Sequence, residues 1–208
     1  MPLCRITLPV GEISSNTTIL YDSETRDSVI FDAGGDIPKI AHEIQKEHLN
    51  VKHIYYTHGH YDHVDLSGQL QEVCGCEVSI HEADMFLYEL SPKMKKSRGF
   101  SIPSCPLPKI STHKEGEKVI VGEYEGKIIL TPGHSPGSCC FSFDHLLIAG
   151  DTLFKNGFGR TDLPGGSMEQ IFASLRKLCT ILPESTVVVT GHGEETTIGA
   201  EKKTLGIF

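Results

Sequence analysis

No stretch of this sequence is apolar for long enough to cross a bilayer, and its opening twelve residues lack the uninterrupted apolar run of a secretory signal. A soluble protein of the cytoplasm is expected, with no membrane partner. The seven cysteines, Cys4, Cys74, Cys76, Cys105, Cys139, Cys140 and Cys179, contain no C-x-x-C pair, and their odd number suggests no disulfide framework. They read as small core side chains in a reducing compartment. Basic residues are outnumbered, 19 Lys and Arg against 27 Asp and Glu, giving a net charge of -8 that argues against nucleic acid as a partner. Internal repeats, low-complexity tracts and Gly- or Ser-rich linkers are also missing, so residues 1–208 read as a single domain built around one substantial core.

What is present is a series of short β-branched runs: Arg5 to Leu8, Thr17 to Tyr21, Ser28 to Asp32, His53 to Tyr56, Glu77 to Ile80, Lys118 to Val121, Lys127 to Thr131, Cys139 to Phe143, Leu146 to Ala149 and Thr186 to Thr190. Each reads as a strand. Helical spacing places Ile37, Ile40, Ala41 and Ile44 on one face behind a candidate cap at Asp36. A second helix over Ser167 to Leu182 opens on a capping-box pair, Ser167 and Gln170, and carries Ile171, Leu175 and Leu178 on one face. Ser91 to Pro108, with Pro92, Gly99, Pro103, Pro106 and Pro108 and the cations Lys93, Lys95, Lys96 and Arg98, reads as a long surface loop. Strands in consecutive runs and strands separated by helices give an α+β pattern, which two mixed sheets flanked by helices would satisfy.

The densest chemistry lies in Thr57-His58-Gly59-His60-Tyr61-Asp62-His63, three imidazoles and a carboxylate at the end of an expected strand. In extended chain His58 and His60 point the same way, and a following turn can swing Asp62 and His63 toward a second point. One segment can thus serve two metal ions, which then require donors from elsewhere. Thr131-Pro132-Gly133-His134, Ala149-Gly150-Asp151 and Thr190-Gly191-His192-Gly193 each follow an expected strand and expose one donor on a glycine-containing turn.

These motifs, an H-x-H-x-D-H segment and three separated donors in this order, resemble the metallo-β-lactamase superfamily along nearly the whole chain. The segments Gly150-Asp151-Thr152-Leu153-Phe154, Gly159-Arg160-Thr161-Asp162 and Gly191-His192-Gly193 are most similar to small relatives of glyoxalase II, the hydroxyacylglutathione hydrolases. The resemblance implies a four-layer αβ/βα sandwich. It assigns His58, His60 and His134 to one metal, Asp62, His63 and His192 to a second, and Asp151 to a bridging position, with Asp62 also placed to orient the nucleophilic water. Asp32 becomes a candidate for orienting a ligating imidazole or, alternatively, for shaping its turn. The other histidines, His42, His48, His53, His81, His113 and His145, have no matching partners and read as ordinary surface or core residues.

Nitrogen and oxygen donors without thiolate suit two zinc ions and accommodate iron or manganese. The activity implied is hydrolysis of a small thioester, hydroxyacylglutathione, by a metal-bound hydroxide, and a thiolate of reference pKa about 8.5 leaves without a strong general acid. The helical C-terminal domain that supplies glutathione contacts in full-length glyoxalase II has no counterpart in the sixteen residues after His192. Arg160 or the cations Lys93, Lys95, Lys96 and Arg98 are therefore candidates for holding the substrate, although Arg160 could instead pair with Asp162 and the cations could simply be solvated. Two other classes stay in view. One is a persulfide dioxygenase of the same superfamily, with a single Fe(II) on His58, His134 and Asp151; the other is a catalytically inactive metal-binding protein. Oligomeric state is not legible in the sequence.

Overall fold

A computed structural model describes residues 3–101 and 108–206. The first sheet runs in chain order, β1 (Leu3–Val10), β2 (Ser15–Asp22), β3 (Asp27–Phe31), β4 (Asn50–Tyr55), β5 (Glu77–His81) and β6 (Ser111–His113). Its first three strands pair antiparallel and the rest parallel. The second sheet comprises β7 (Lys118–Val121), β8 (Tyr124–Leu130), β9 (Cys139–Phe143) and β10 (Leu146–Gly150), and, beyond a small hairpin of β11 (Leu153–Phe154) and β12 (Gly157–Phe158), β13 (Val187–Thr190) and β14 (Thr196–Thr197). Its order is β14-β13-β10-β9-β8-β7, antiparallel except where β13 lies parallel to β10.

The period of two along each strand sorts side chains into layers. In β3, Val29 and Phe31 face the second sheet and pack in the apolar layer that holds Phe141, Phe143, Ile148 and Val189. Ile30 faces the other way, with Ile54 and Ile80, onto α1 (Ile37–Lys46) and α3 (Ser67–Cys74) through Ile37, Ile40 and Leu70. On the far side of the second sheet, Leu147, Ala149 and Val188 meet Ile171, Leu175 and Leu178 of α5 (Met168–Ile181) and Ile198 of α6 (Ile198–Thr204). Two mixed sheets flanked by helices are therefore the architecture, as the strand pattern and the resemblance imply. No helix among the described residues is long and apolar enough to cross a membrane.

Two local expectations need correcting. Ser91 to Ser97 is not loop but the second half of α4 (Met85–Ser97), with Pro92 inside it. The buried stripe of this helix is Leu87, Tyr88, Ser91 and Lys95, and a stripe containing a serine and a lysine does not read as apolar in sequence. Part of the expected excursion, residues 102–107 with Pro103, Cys105 and Pro106, lies outside the described residues. Asp36, the expected cap of α1, makes no side-chain capping bond: its backbone is left-handed (φ 49°), and its carboxylate accepts from the Gly11 N–H instead (3.1 Å). Ser167 does cap α5, its Oγ accepting from the Gln170 N–H at 3.3 Å.

Three of the histidines without motif partners share one end of the space between the sheets. His53 Nε2 and His113 Nδ1 both contact Ser79 Oγ, at 2.8 and 3.1 Å, and His81 lies beside His113 with ring centroids 6.4 Å apart. His113 Nε2 is buried without a hydrogen-bond partner, so protonation there would place a charge among apolar rings. Burial, with smaller contributions from His81 and His53, lowers its pKa to about 3, against about 6.5 in unfolded chain. Between these values the unfolded chain binds a proton that the folded chain refuses, so this group makes stability fall as pH drops from about 6.5 toward 3. In urea unfolding across that window, His113→Phe is expected to flatten the slope of stability against pH by up to about 1.4 kcal/mol per pH unit. Parallel slopes for the two proteins would contradict this account.

Candidate metal centre

The parallel strands β3 and β4 of one sheet and the parallel pair β10 and β13 of the other deliver their C-terminal ends to the same edge of the sandwich. Beyond β4 the chain reaches His58 and His60 and then the single turn α2 (Tyr61–Val64), which carries Asp62 and His63. His134 follows β8, Asp151 follows β10 and His192 follows β13. All seven motif donors are thereby brought together. Ligand atoms of His58, His60 and His134 lie within 4.8 Å of one another, as do those of Asp62, His63 and His192, and those of His58, His63 and Asp151.

Close approach of the β10 and β13 ends depends on glycine. A Cβ at Gly191 would fall 2.0 Å from Asp151 Oδ1, so only glycine lets the turn before His192 pass the Asp151 carboxylate.

Hydrogen bonds on the outer side of each ring decide which nitrogen offers its lone pair inward. Asp32, buried and left-handed (φ 62°), follows β3. Its Oδ1 accepts from the Thr57 N–H (2.8 Å), and its Oδ2 accepts from the Thr57 hydroxyl (2.9 Å) and from His63 Nδ1 (2.8 Å). Since the Thr57 hydroxyl donates to Asp32, it must accept from His58 Nδ1, 3.0 Å away. His134 Nδ1 donates to the Arg160 backbone carbonyl at 2.8 Å. His58, His63 and His134 therefore all turn Nε2 toward the centre.

The electrostatics divide the cluster in two. Burial, reinforced by the surrounding imidazoles, holds His58 well below the usual histidine range, and burial and His134 bring His60 down to about 3. These rings are neutral donors at physiological pH. For His63, burial pulls the pKa down, but Asp151, Asp32 and Asp62 together outweigh it and raise the value well above the ordinary one. Asp62 and Asp151 are lowered despite burial because His63 stands beside each. A proton and a metal ion would thus compete for His63 Nε2, which lies 3.3 Å from both Asp62 Oδ2 and Asp151 Oδ1.

The residues fit a metal. His58 Nε2 and Asp151 Oδ1 are buried polar atoms without hydrogen-bond partners, which a protein interior tolerates poorly unless a ligand satisfies them, and His60 turns Nδ1 to the same point, 2.8 Å from His134 Nε2. The donor set is five imidazoles and two carboxylates with no thiolate, suited to a divalent transition metal.

The expected substrate cations fare differently. Lys95 is buried and ion-paired with Asp65 and, at 3.3 Å, with Glu12, so it is not free to meet a ligand. Lys93, Lys96 and Arg98 are exposed. The Arg160 guanidinium forks onto Asp162, with both bonds at 2.7 Å, and the residue reaches the centre through its carbonyl rather than its charge. Thr57, whose hydroxyl links Asp32 to His58, gave no signal in the sequence beyond its place before the histidines.

A family model, the Metallo-beta-lactamase superfamily, matches residues 10–192, and the chain belongs to that superfamily. Hydroxyacylglutathione hydrolase GloC of Haemophilus influenzae is 34% identical over 199 residues, covering 94% of this chain and 93% of that protein. Among solved structures, the BLEG-1 B3 metallo-beta-lactamase superposes with a TM-score of 0.85 at 31% identity, over 96% of this chain and 97% of that one. TTHA1623 in a di-iron-bound form also gives 0.85, at 33% identity over 96% and 98%. ETHE1 from Myxococcus xanthus gives 0.74 at 26% identity, over 97% and 83%.

Asp32→Asn keeps a residue that accepts the left-handed backbone but sets an amide donor against one of the three donors now held. It is expected to weaken metal binding by about 10- to 100-fold in competition with a chelator, and Thr57→Val, which removes only the link to His58, by less. Unchanged affinity in both variants would show that these outer hydrogen bonds do not govern the centre.

Proposed function

We propose that this protein is a metal-dependent hydrolase of a small thioester of the hydroxyacylglutathione kind. His58, His60 and His134 would hold one divalent ion, Asp62, His63 and His192 a second, and Asp151 would bridge them. The observation that carries the reading is the placement of the Asp151 carboxylate, with Oδ2 3.5 Å from His134 Nε2 and Oδ1 3.3 Å from His63 Nε2, one oxygen toward each group. Zinc suits the donors, and iron or manganese could replace it. Bound there, two such ions supply an acidified water and stabilise the oxyanion that develops on an attacked carbonyl.

The chain's own side chains set the direction of approach. His192 is the most open of the seven donors, 26% exposed at the side chain, ahead of Asp62 at 13% and Asp151 at 11%, while His63 is sealed. Substrate therefore meets the centre from the side of Asp62 and His192. Asp62, bonded at 3.1 Å to His192 Nε2 and kept ionised by His63, would orient a nucleophilic water and receive its proton. No serine or cysteine nucleophile is needed, and a thiolate leaves without protonation by a strong acid. Support for the thioester comes from the likeness to GloC over nearly the whole of both chains. Glutathione itself would be held by exposed cations, of which Lys93, Lys96 and Arg98 remain open while Arg160 is engaged by Asp162.

The test uses protein purified without added metal or chelator. Metal content is measured, and the same sample is assayed in parallel with S-lactoylglutathione and with glutathione persulfide. Two ions per chain with thioester hydrolysis are expected, and hydrolysis should disappear on metal removal and return on reloading. One iron with persulfide-dependent oxygen uptake would replace this reading by the dioxygenase. Bound metal without turnover of either substrate would replace it by a binding protein.

A further inference from the structure

We propose that Asp84 is a positioning residue that locks together the two loops carrying His58, His60 and His134; this rests on the reading of those three as one metal-binding group. Asp84 lies in a different part of the chain, where a 3-10 turn over Glu82–Asp84 runs into α4. It is fully buried. It occupies the N-cap position of α4, where an aspartate ordinarily accepts from its own helix, yet it makes no side-chain capping bond. Its carboxylate is turned onto the two ligand loops instead.

Three donors converge on it. Oδ2 accepts from the N–H of Gly59, the residue between His58 and His60, at 2.9 Å, and from the hydroxyl of Ser135, the residue after His134, at 2.6 Å. Oδ1 accepts from the Gly137 N–H at 2.6 Å. The proton order beyond it is fixed as well. Ser135 gives its hydroxyl proton to Asp84, so the Ser138 hydroxyl, 2.6 Å away, donates to Ser135 Oγ while accepting from the Ser135 N–H at 3.1 Å. Every acceptor in this chain is filled by a donor of the His134 loop or of the His58–His60 segment.

Packing enforces the same contact. A Cβ on Gly137 would sit 2.8 Å from Asp84 Cγ, and one on Gly59 would sit 2.8 Å from the Asp84 carbonyl oxygen. Both loops are pressed against this one residue, and neither could carry a side chain there. His58 and His60 belong to one loop and His134 to the other, so the spacing of the three imidazoles depends on how the loops are joined. Asp84 joins them without touching an imidazole ring in any hydrogen bond.

Asp84→Asn preserves size but replaces one acceptor oxygen by an NH2 group. If the amide nitrogen takes the Oδ2 position, the Ser135 hydroxyl can rotate to accept and Gly59 N–H is orphaned; in the other orientation Gly137 N–H is orphaned. One loop is released in either case. Zinc-loaded wild type, Asp84→Asn and Ser135→Ala are titrated with a chelator, and released ions are counted by elemental analysis. His60→Ala and His192→Ala proteins identify which release step belongs to which group.

The expected result is an affinity about 10- to 100-fold weaker for the His58, His60 and His134 step in Asp84→Asn. Ser135→Ala, which removes a single side-chain donor and keeps the fold intact should the other variant misfold, shifts the same step by less. The step of Asp62, His63 and His192 stays where it is. An unmoved first step, or equal weakening of both steps, overturns the proposal and leaves Asp84 as an ordinary buried carboxylate. Wild-type protein that takes up no zinc overturns the reading of the centre, and this inference with it.

Discussion

The Asp32 carboxylate is the constraint on which the rest of the centre depends. It lies buried just beyond the end of a central strand, held by the Thr57 N–H, the Thr57 hydroxyl and His63 Nδ1. Burial of a carboxylate costs several kcal/mol unless such partners are supplied, so the three donors and the acceptor hold each other in place. The left-handed backbone at Asp32 is part of the same arrangement, because it turns the side chain from the strand direction across to the neighbouring β4 end. From this one group the proton positions of two imidazoles follow, His63 directly and His58 through Thr57. His58, neutral and with its outer nitrogen committed, presents a lone pair inward without having to choose a tautomer, whereas His63 has its orientation fixed but must first give up a proton.

The layers of the sandwich make such a polar edge affordable. Between the sheets Phe31, Phe141 and Phe143 pack with ring centroids 4.8 and 6.3 Å from Phe31, and separate apolar layers hold the helices to each outer face. The cohesion of the domain is thus provided away from the centre. Loops beyond the strand ends are then free to be spaced by donors and acceptors rather than by apolar fit. The division of charge within the cluster has a chemical consequence. His58 and His60 stay neutral because burial and like neighbours oppose protonation, whereas His63 and His192 draw protons because carboxylates face them. A metal bound beside His63, as proposed, would have to displace a proton, and its occupancy would be the more sensitive to acid.

Much of this was legible in the sequence, and the reasons are specific. His58, His60, Asp62 and His63 fall within six residues, and His134, Asp151 and His192 each stand on a glycine turn after a β-branched run, so spacing alone placed them at strand ends. The alternation in β3 and the helical stripe of α5 likewise depend on near neighbours. What was not legible depends on partners far along the chain. Lys95 looks like a solvated cation until Asp65 and Glu12 are brought to it. The buried face of α4 is hidden because Ser91 and Lys95 contribute to it. Asp84 sits in His81-Glu82-Ala83-Asp84, a segment with no motif, and its importance appears only when residues 59, 135 and 137 surround it.

The centre and the rim carry different kinds of information. Chemistry at the centre is set by seven donors whose hydrogen bonds and packing leave little freedom, and the superfamily membership speaks to that part. Substrate choice, in the proposed reading, would depend on side chains around the centre. Among the cations considered for that role, Lys95 is neutralised by two carboxylates and Arg160 by one, and Lys93, Lys96 and Arg98 are exposed. An exposed pair such as Arg160 with Asp162 contributes little individually and is screened by salt. Under the proposed hydrolase reading, discrimination between one thioester and another would come from how the Asp62 and His192 side of the centre admits the acyl group, where His192 is the least buried donor.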